Sequence, residues 1–288
     1  MKDKFNREIT SLRISVTQKC NLGCAYCHRE GEENPSQEMS LEEIRALVHQ
    51  MAAQGVRYVK ITGGEPLMRE DIVDIVSAIS HVPGIEEVSM TTNGTLLPRF
   101  AKPLAEAGLR RINIGCDSIS SIPFKNTEAI LPGLSAAKAA GLSPVKLNMV
   151  VLTGINDHEV WNMVDFAGKH AAILQLIELI PNEDADYFQR HYYSLKHIEE
   201  QLSRLAHFSL QRSMHGRRQY YLADAVVEVV RPHNRAFCSA CNRIRVTSDG
   251  RLKPCLRTKK AVKIAGSFRD SLDDAIKNRV IYCERIND

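Results

Sequence analysis

The feature that most restricts the fold of this chain is an alternation of two hydrophobic periods through its first two thirds. Leu12-Arg13-Ile14-Ser15-Val16 alternates apolar and polar residues, the pattern of a half-buried strand. Ser40 and Glu43 form a capping box for a helix whose Leu41, Ile44, Leu47, Val48 and Met51 share one face, and Gly55 ends it. Strands are then expected over 56–62, 85–91, 111–114, 145–152 and 174–180, separated by helices over 71–79, 97–107, 128–140 and 157–170. Such alternation predicts βαβ units and a parallel sheet. Six units fall short of the eight of a closed barrel, so the expected fold is α/β, a partial (β/α)6 TIM-like barrel over residues 5–185. After Pro181 the rhythm changes. A helix over 194–205 with Ser194 as N-cap is followed by two β-rich runs between 208 and 230, around the basic turn 214–218. These predict a smaller C-terminal α+β subdomain over 186–288.

The eight cysteines fall at 20, 24 and 27, at 116, at 238, 241 and 255, and at 283. The first eight residues lack the apolar core of a secretory signal, so a cytoplasmic location is expected and disulfides are not. Cysteines in such a chain more often bind metal or do chemistry. No run approaches the roughly 18 apolar residues of a membrane span. The net charge of +4 is too small to indicate nucleic-acid binding, and it suits a cationic pocket for a phosphorylated small molecule. Cys116, at the end of an apolar strand, and Cys283 are expected to be structural.

Cys20, Cys24 and Cys27 stand as C-x3-C-x2-C directly after the first strand. Three thiolates in eight residues suit one face of a [4Fe–4S] cluster, leaving one iron open. Structural zinc, the competing occupant, wants four protein ligands, and only His28 is nearby. C-x3-C-x2-C with Tyr26 before the third cysteine, in a βα repeat, resembles the radical S-adenosylmethionine (SAM) enzymes. Ile61-Thr62-Gly63-Gly64-Glu65-Pro66 and Thr91-Thr92-Asn93-Gly94 at later strand ends are similar to that family's motifs. The resemblance implies SAM on the open iron, with Tyr26, Gly63, Gly64 and Glu65 beside it.

Cys238, Cys241 and Cys255 form C-x2-C-x13-C. By spacing this is a zinc ribbon completed by His233 or Cys283, or a second cluster with an open iron. The run Phe237-Cys238-Ser239-Ala240-Cys241-Asn242-Arg243-Ile244-Arg245-Val246-Thr247, with Gly250, Pro254, Cys255 and Leu256, resembles the molybdenum-cofactor GTP 3′,8-cyclase family, in its archaeal form. That resemblance spans about residues 5–257. It implies two [4Fe–4S] clusters with GTP between them, contacted by Arg13, Lys60, Thr91, Lys146, Arg243, Ile244 and Arg245. Charge supports the assignment independently, because guanidinium forks match phosphate oxygens. Arg13, Lys60 and Lys146 are cations inside otherwise apolar strands. The chain departs from many bacterial members at Tyr58, at Gln175, at Gly115 and in lacking a C-terminal glycine pair.

The expected activity is abstraction of the ribose 3′ hydrogen of GTP by a SAM-derived 5′-deoxyadenosyl radical, with closure of C3′ onto guanine C8. Expected partners are a one-electron reductant and a downstream pterin-forming enzyme; a homodimer is compatible with the sequence. Two alternatives are a peptide-modifying radical SAM enzyme with an auxiliary cluster and a zinc-stabilised nucleic-acid binder.

Overall fold

The computed structural model describes residues 1–280 except 33, 34, 36, 123, 124, 182, 183, 213 and 259. Cys283 and the glycine-free terminus lie outside the described residues. Six βα-type strands run in order: β1 (Ser11–Ser15), β2 (Tyr58–Thr62), β3 (Glu87–Thr92), β4 (Leu109–Gly115), β5 (Val145–Val151) and β6 (Ile173–Glu178). Between them lie α1 (Leu41–Ala53), α2 (Ile72–Ser80), α3 (Leu97–Glu106), α4 (Thr127–Ala139) and α5 (Val160–Lys169). The capping box at Ser40 and Glu43 is formed on both sides. The helix expected from Asp157 begins as a 3-10 turn over Asp157–Glu159 and becomes α-helical only at Val160.

The C-terminal third adds α6 (Ala185–His191), α7 (Lys196–Leu205), β7 (Phe208–Gln211), β8 (Arg218–Tyr221), β9 (Val226–Val230), α8 (Arg235–Ser239), β10 (Arg243–Val246), β11 (Leu252–Lys253) and α9 (Phe268–Lys277). Ser194 is not the N-cap of α7; Leu195 is, and the buried carboxylate of Glu178 accepts the Leu195 amide at 3.1 Å. The C-terminal strands do not build a sheet of their own. One 11-stranded sheet runs β11-β10-β1-β2-β3-β4-β5-β6-β9-β8-β7. β10 pairs parallel with β1 and β9 pairs parallel with β6, so the six-strand parallel run gains a strand on each flank and passes through the boundary expected at 185/186.

Strand alternation sorts the two faces. Leu12, Ile14, Val59, Ile61, Met90, Ile112 and Ile114 point to the helices and join one apolar core with the inner faces of α1 to α5. The opposite residues form a polar row, because the register sets Arg245 beside Arg13, Arg13 beside Lys60, Lys60 beside Ser89 and Ser89 beside Arg111. A second row runs Asn148, Gln175, Glu228, Gln219. A parallel strand buried on both faces ordinarily reads as a continuous apolar run. Here the alternation persists because the inner face lines a cavity.

Helix packing is tight at Gly133 of α4, where an added Cβ would lie 2.3 Å from the Gly94 carbonyl oxygen. Helix propensity alone favours Ala over Gly by about 0.5–1 kcal/mol. Overpacking against rigid backbone costs about 1–3 kcal/mol and should win. Urea unfolding of Gly133→Ala is therefore expected to show net destabilisation; a gain in stability would mean that α4 shifts freely.

Candidate active site

A cavity of about 700 Å³ opens on the polar face of the sheet, and all six cysteines of the two triplets line it. Cys20, Cys24 and Cys27 follow the C-terminal end of β1. Cys238 and Cys241 precede β10, and Cys255 follows the antiparallel β11. Since β10 runs parallel to β1, the second triplet sits at the opposite end of the strands from the first. Residues between the two triplets thus face one cavity bounded by both.

The first loop is held by close backbone approach. A Cβ at Gly63 would lie 2.4 Å from Thr17 O, and one at Gly64 2.3 Å from Lys19 O, so only glycine lets the β2 end pack on the segment entering Cys20. Tyr26 donates a short hydrogen bond to Asp117, and Lys125 Nζ lies 2.6 Å from the Tyr26 hydroxyl and 3.1 Å from the Asp117 carboxylate. The Tyr26 phenol is pushed well above its usual value, first by burial and then by Asp117. The Glu65 side chain turns inward from the strand end. It is fully buried, and its carboxylate accepts from Thr92 Oγ1 (2.7 Å), Asn93 N (2.6 Å) and Leu67 N (3.0 Å), so it ties the strand ends together.

Among the described residues no disulfide joins the cysteines of the two triplets. Among the described residues no three Cys, His, Asp or Glu side chains converge tightly enough to hold a single ion. Three ligands of a cubane each bind a different iron and need no such convergence, so each set of three thiols fits a cluster with one open iron. His233, weighed as a zinc ligand, is instead 2.8 Å from Leu179 O, outside the cavity lining.

Arg13, Lys60, Thr91, Lys146, Arg243 and Arg245 all line the cavity. Ile244 does not: it is fully buried on the opposite face, as strand alternation between Arg243 and Arg245 requires. Sequence reasoning missed the carboxylates that hold these cations. Glu30, 8% exposed, accepts a short bond from Arg13, one of 2.6 Å from Arg245 and one of 3.0 Å from Thr62 Oγ1. Burial works to raise the Glu30 carboxyl, yet Arg13 and Arg245 hold it well below the usual range. Glu228, fully buried on β9, accepts from Lys146 Nζ and Gln175 Nε2 and is ion-paired with Arg217 Nη1, each at 2.6 Å. Its carboxyl is held at about 2, burial opposing and Arg217 and Lys146 prevailing. Lys146 nonetheless falls to about 8, because burial outweighs Glu228 and the neighbouring Arg217 repels it.

Lys60 and Arg243, side by side with the paired cations, face the cavity without a carboxylate partner among the described residues. Lys60 Nζ donates to Asn113 Oδ1 (2.7 Å), and Arg243 Nη2 reaches the Met214 sulfur (3.2 Å). Among the described residues the buried Nε atoms of Arg13 and Arg243 have no hydrogen-bond partner. Burial first and then neighbouring cations push Lys60 and Arg243 well below their usual values. Such a surface is poised for a multiply charged anion. Cys116 is fully buried and its thiol is pushed up to about 12, mainly by burial, as expected of an inert cysteine.

Removing a carboxylate from a buried pair is costly because it strands the cations. Glu30→Gln is expected to lower stability at pH 7 by about 2 kcal/mol or more, measured by denaturant unfolding. The folded value lies below the unfolded value of 4.5. The contribution is therefore complete above pH ~5 and shrinks as pH falls toward the folded value. A wild-type-to-variant difference that grows on acidification would contradict this.

Comparison with known proteins agrees with this arrangement. The Radical SAM superfamily model matches residues 14–167, and the Molybdenum Cofactor Synthesis C model matches residues 172–283. A probable GTP 3′,8-cyclase of Archaeoglobus fulgidus is 44% identical, with 96% of this chain and 95% of that protein covered. One from Thermococcus kodakarensis is 46% identical, with 94% and 93% covered. Among solved structures, Streptococcus suis SuiB shares the fold with a TM-score of 0.69 at 16% identity, covering 97% of this chain and 68% of that one. The chain belongs to the radical SAM superfamily and, within it, to the GTP 3′,8-cyclases.

Proposed function

We propose that this protein converts GTP to 3′,8-cyclo-7,8-dihydro-GTP, with the nucleotide lying between the two cysteine triplets. The observation that carries this reading is that both triplets and the incompletely neutralised cations face one cavity. Cys20, Cys24 and Cys27 would hold the first [4Fe–4S] cluster, and Cys238, Cys241 and Cys255 the second. When bound, the first cluster and SAM would supply, on receipt of one electron, a 5′-deoxyadenosyl radical able to take the ribose 3′ hydrogen of GTP, after which C3′ closes onto guanine C8 and a second electron with a proton completes the 7,8-dihydro product. The rest is the work of the chain. Gly63 and Gly64 let the backbone come close on the SAM side, and Tyr26 is locked there by Asp117 and Lys125. Arg13, Lys60, Lys146, Arg243 and Arg245 bind and orient the triphosphate, with Glu30 holding Arg13 and Arg245 in place. The buried strand floor excludes water from the reacting carbons. A one-electron reductant and a pterin-forming enzyme complete the reaction sequence.

Anaerobic reconstitution should give about eight irons per chain, four for each cubane. Incubation with SAM, dithionite and GTP should then yield the cyclised nucleotide; SAM cleavage indifferent to GTP would contradict the assignment. A pH dependence follows as well. With Lys146 at about 8 in the free protein, its cation is lost as pH rises through that value. GTP affinity is therefore expected to fall between pH ~7.5 and 9, with proton uptake on binding within that window and little below it. Lys146→Arg should flatten the profile, and an unchanged slope in that variant would exclude Lys146 as the titrating contact.

A further inference from the structure

Arg217 is in none of the motifs, yet it reaches the cavity from the turn between β7 and β8. Its side chain is 13% exposed. Two contacts aim it: Nη1 lies 2.6 Å from Glu228 Oε1, and Nε donates to Met214 O at 3.4 Å. The Gln175 amide donates to the same Glu228 oxygen, while Lys146 and Gln219 (2.9 Å) occupy the other. With both oxygens so engaged, Glu228 serves as an anchor.

The charges around that anchor do not cancel. One buried carboxylate serves Lys146 and Arg217 at 2.6 Å, with Arg212 a further cation at 3.8 Å. Arg111 differs, since Glu87 at 2.6 Å neutralises it one to one. Met214 links the turn to the remaining site, its carbonyl holding Arg217 and its sulfur meeting Arg243. Buried cations in excess of their carboxylates are stabilised by an anionic ligand, and a guanidinium fork suits phosphate oxygens best.

We propose that Arg217 is a further substrate contact, donating to the triphosphate beside Lys146, with Glu228 as the positioning residue that fixes both cations. This rests on the GTP assignment above. The test measures binding of GTP, GMP and guanosine to the reconstituted holoenzyme by calorimetry, with SAM present and no reductant. Arg217→Gln should weaken GTP about tenfold or more and leave guanosine within about twofold, as a charged hydrogen bond to phosphate requires. In turnover it should raise KM for GTP with kcat little changed. Arg218→Gln, an exposed neighbour, should behave as wild type. Should Arg217→Gln lose iron or fold poorly, Arg217→Lys decides: its GTP-over-guanosine preference should drop severalfold, and an unchanged preference overturns the proposal. Equal losses for GTP and guanosine in Arg217→Gln would also overturn it while leaving the cyclase assignment standing. Wild-type holoenzyme that binds no GTP would remove both.

Discussion

Everything in this site depends on burying cations in a protein interior. Arg245, Arg13, Lys60 and Arg111 stand on one cross-strand row of a sheet whose other face is the apolar core. Without counterions such a row would repel itself and carry several kcal/mol of desolvation cost per charge. Glu30 and Glu87 make the row tolerable by holding Arg13 with Arg245, and Arg111 alone, while Glu228 on the second row does the same for Lys146 and Arg217. They leave Lys60 and Arg243 uncompensated. Under the proposed function a triphosphate would supply the missing negative charge, which would link binding to stability through the same carboxylates.

The C-terminal third completes this arrangement. β9 brings Glu228 to one flank of the parallel run, and β10 brings Arg243 and Arg245 to the other. The turn before β8 adds Arg217 and places His215 flat against Phe237, ring centroids 4.0 Å apart, next to Cys238. A single sheet joins the two thiol triplets, so the span between them is set by strand length and register, which are stiff, and not by a linker.

Much of this was legible in the sequence because it depends on local patterns. The βα rhythm, both cysteine spacings and the oddity of Arg13, Lys60 and Lys146 in apolar strands are visible within a few residues. What was not legible depends on register between distant segments. Glu228 sits in Val226-Val227-Glu228-Val229-Val230, the same signal as Lys60, and could have been found by the same reasoning. Glu30 and Arg217 carry no such mark, since one follows a cysteine loop and the other lies in a polar turn. Ile244 shows the converse. A motif names its residues without saying which face each takes, and Ile244 turns to the apolar interior. That the C-terminal strands extend the barrel's own sheet was not legible either, because sequence patterns do not reveal which sheet edge a strand will join.

The central claim is that the cavity holds the C3′ position of GTP within reach of a radical made on the first cluster. Its most direct test is to give the reconstituted protein GTP deuterated at C3′, with SAM and dithionite, and to weigh the 5′-deoxyadenosine formed. One deuterium per 5′-deoxyadenosine, formed together with the cyclised nucleotide, is the predicted result. Unlabelled 5′-deoxyadenosine, formed at the same rate with or without GTP, would contradict it.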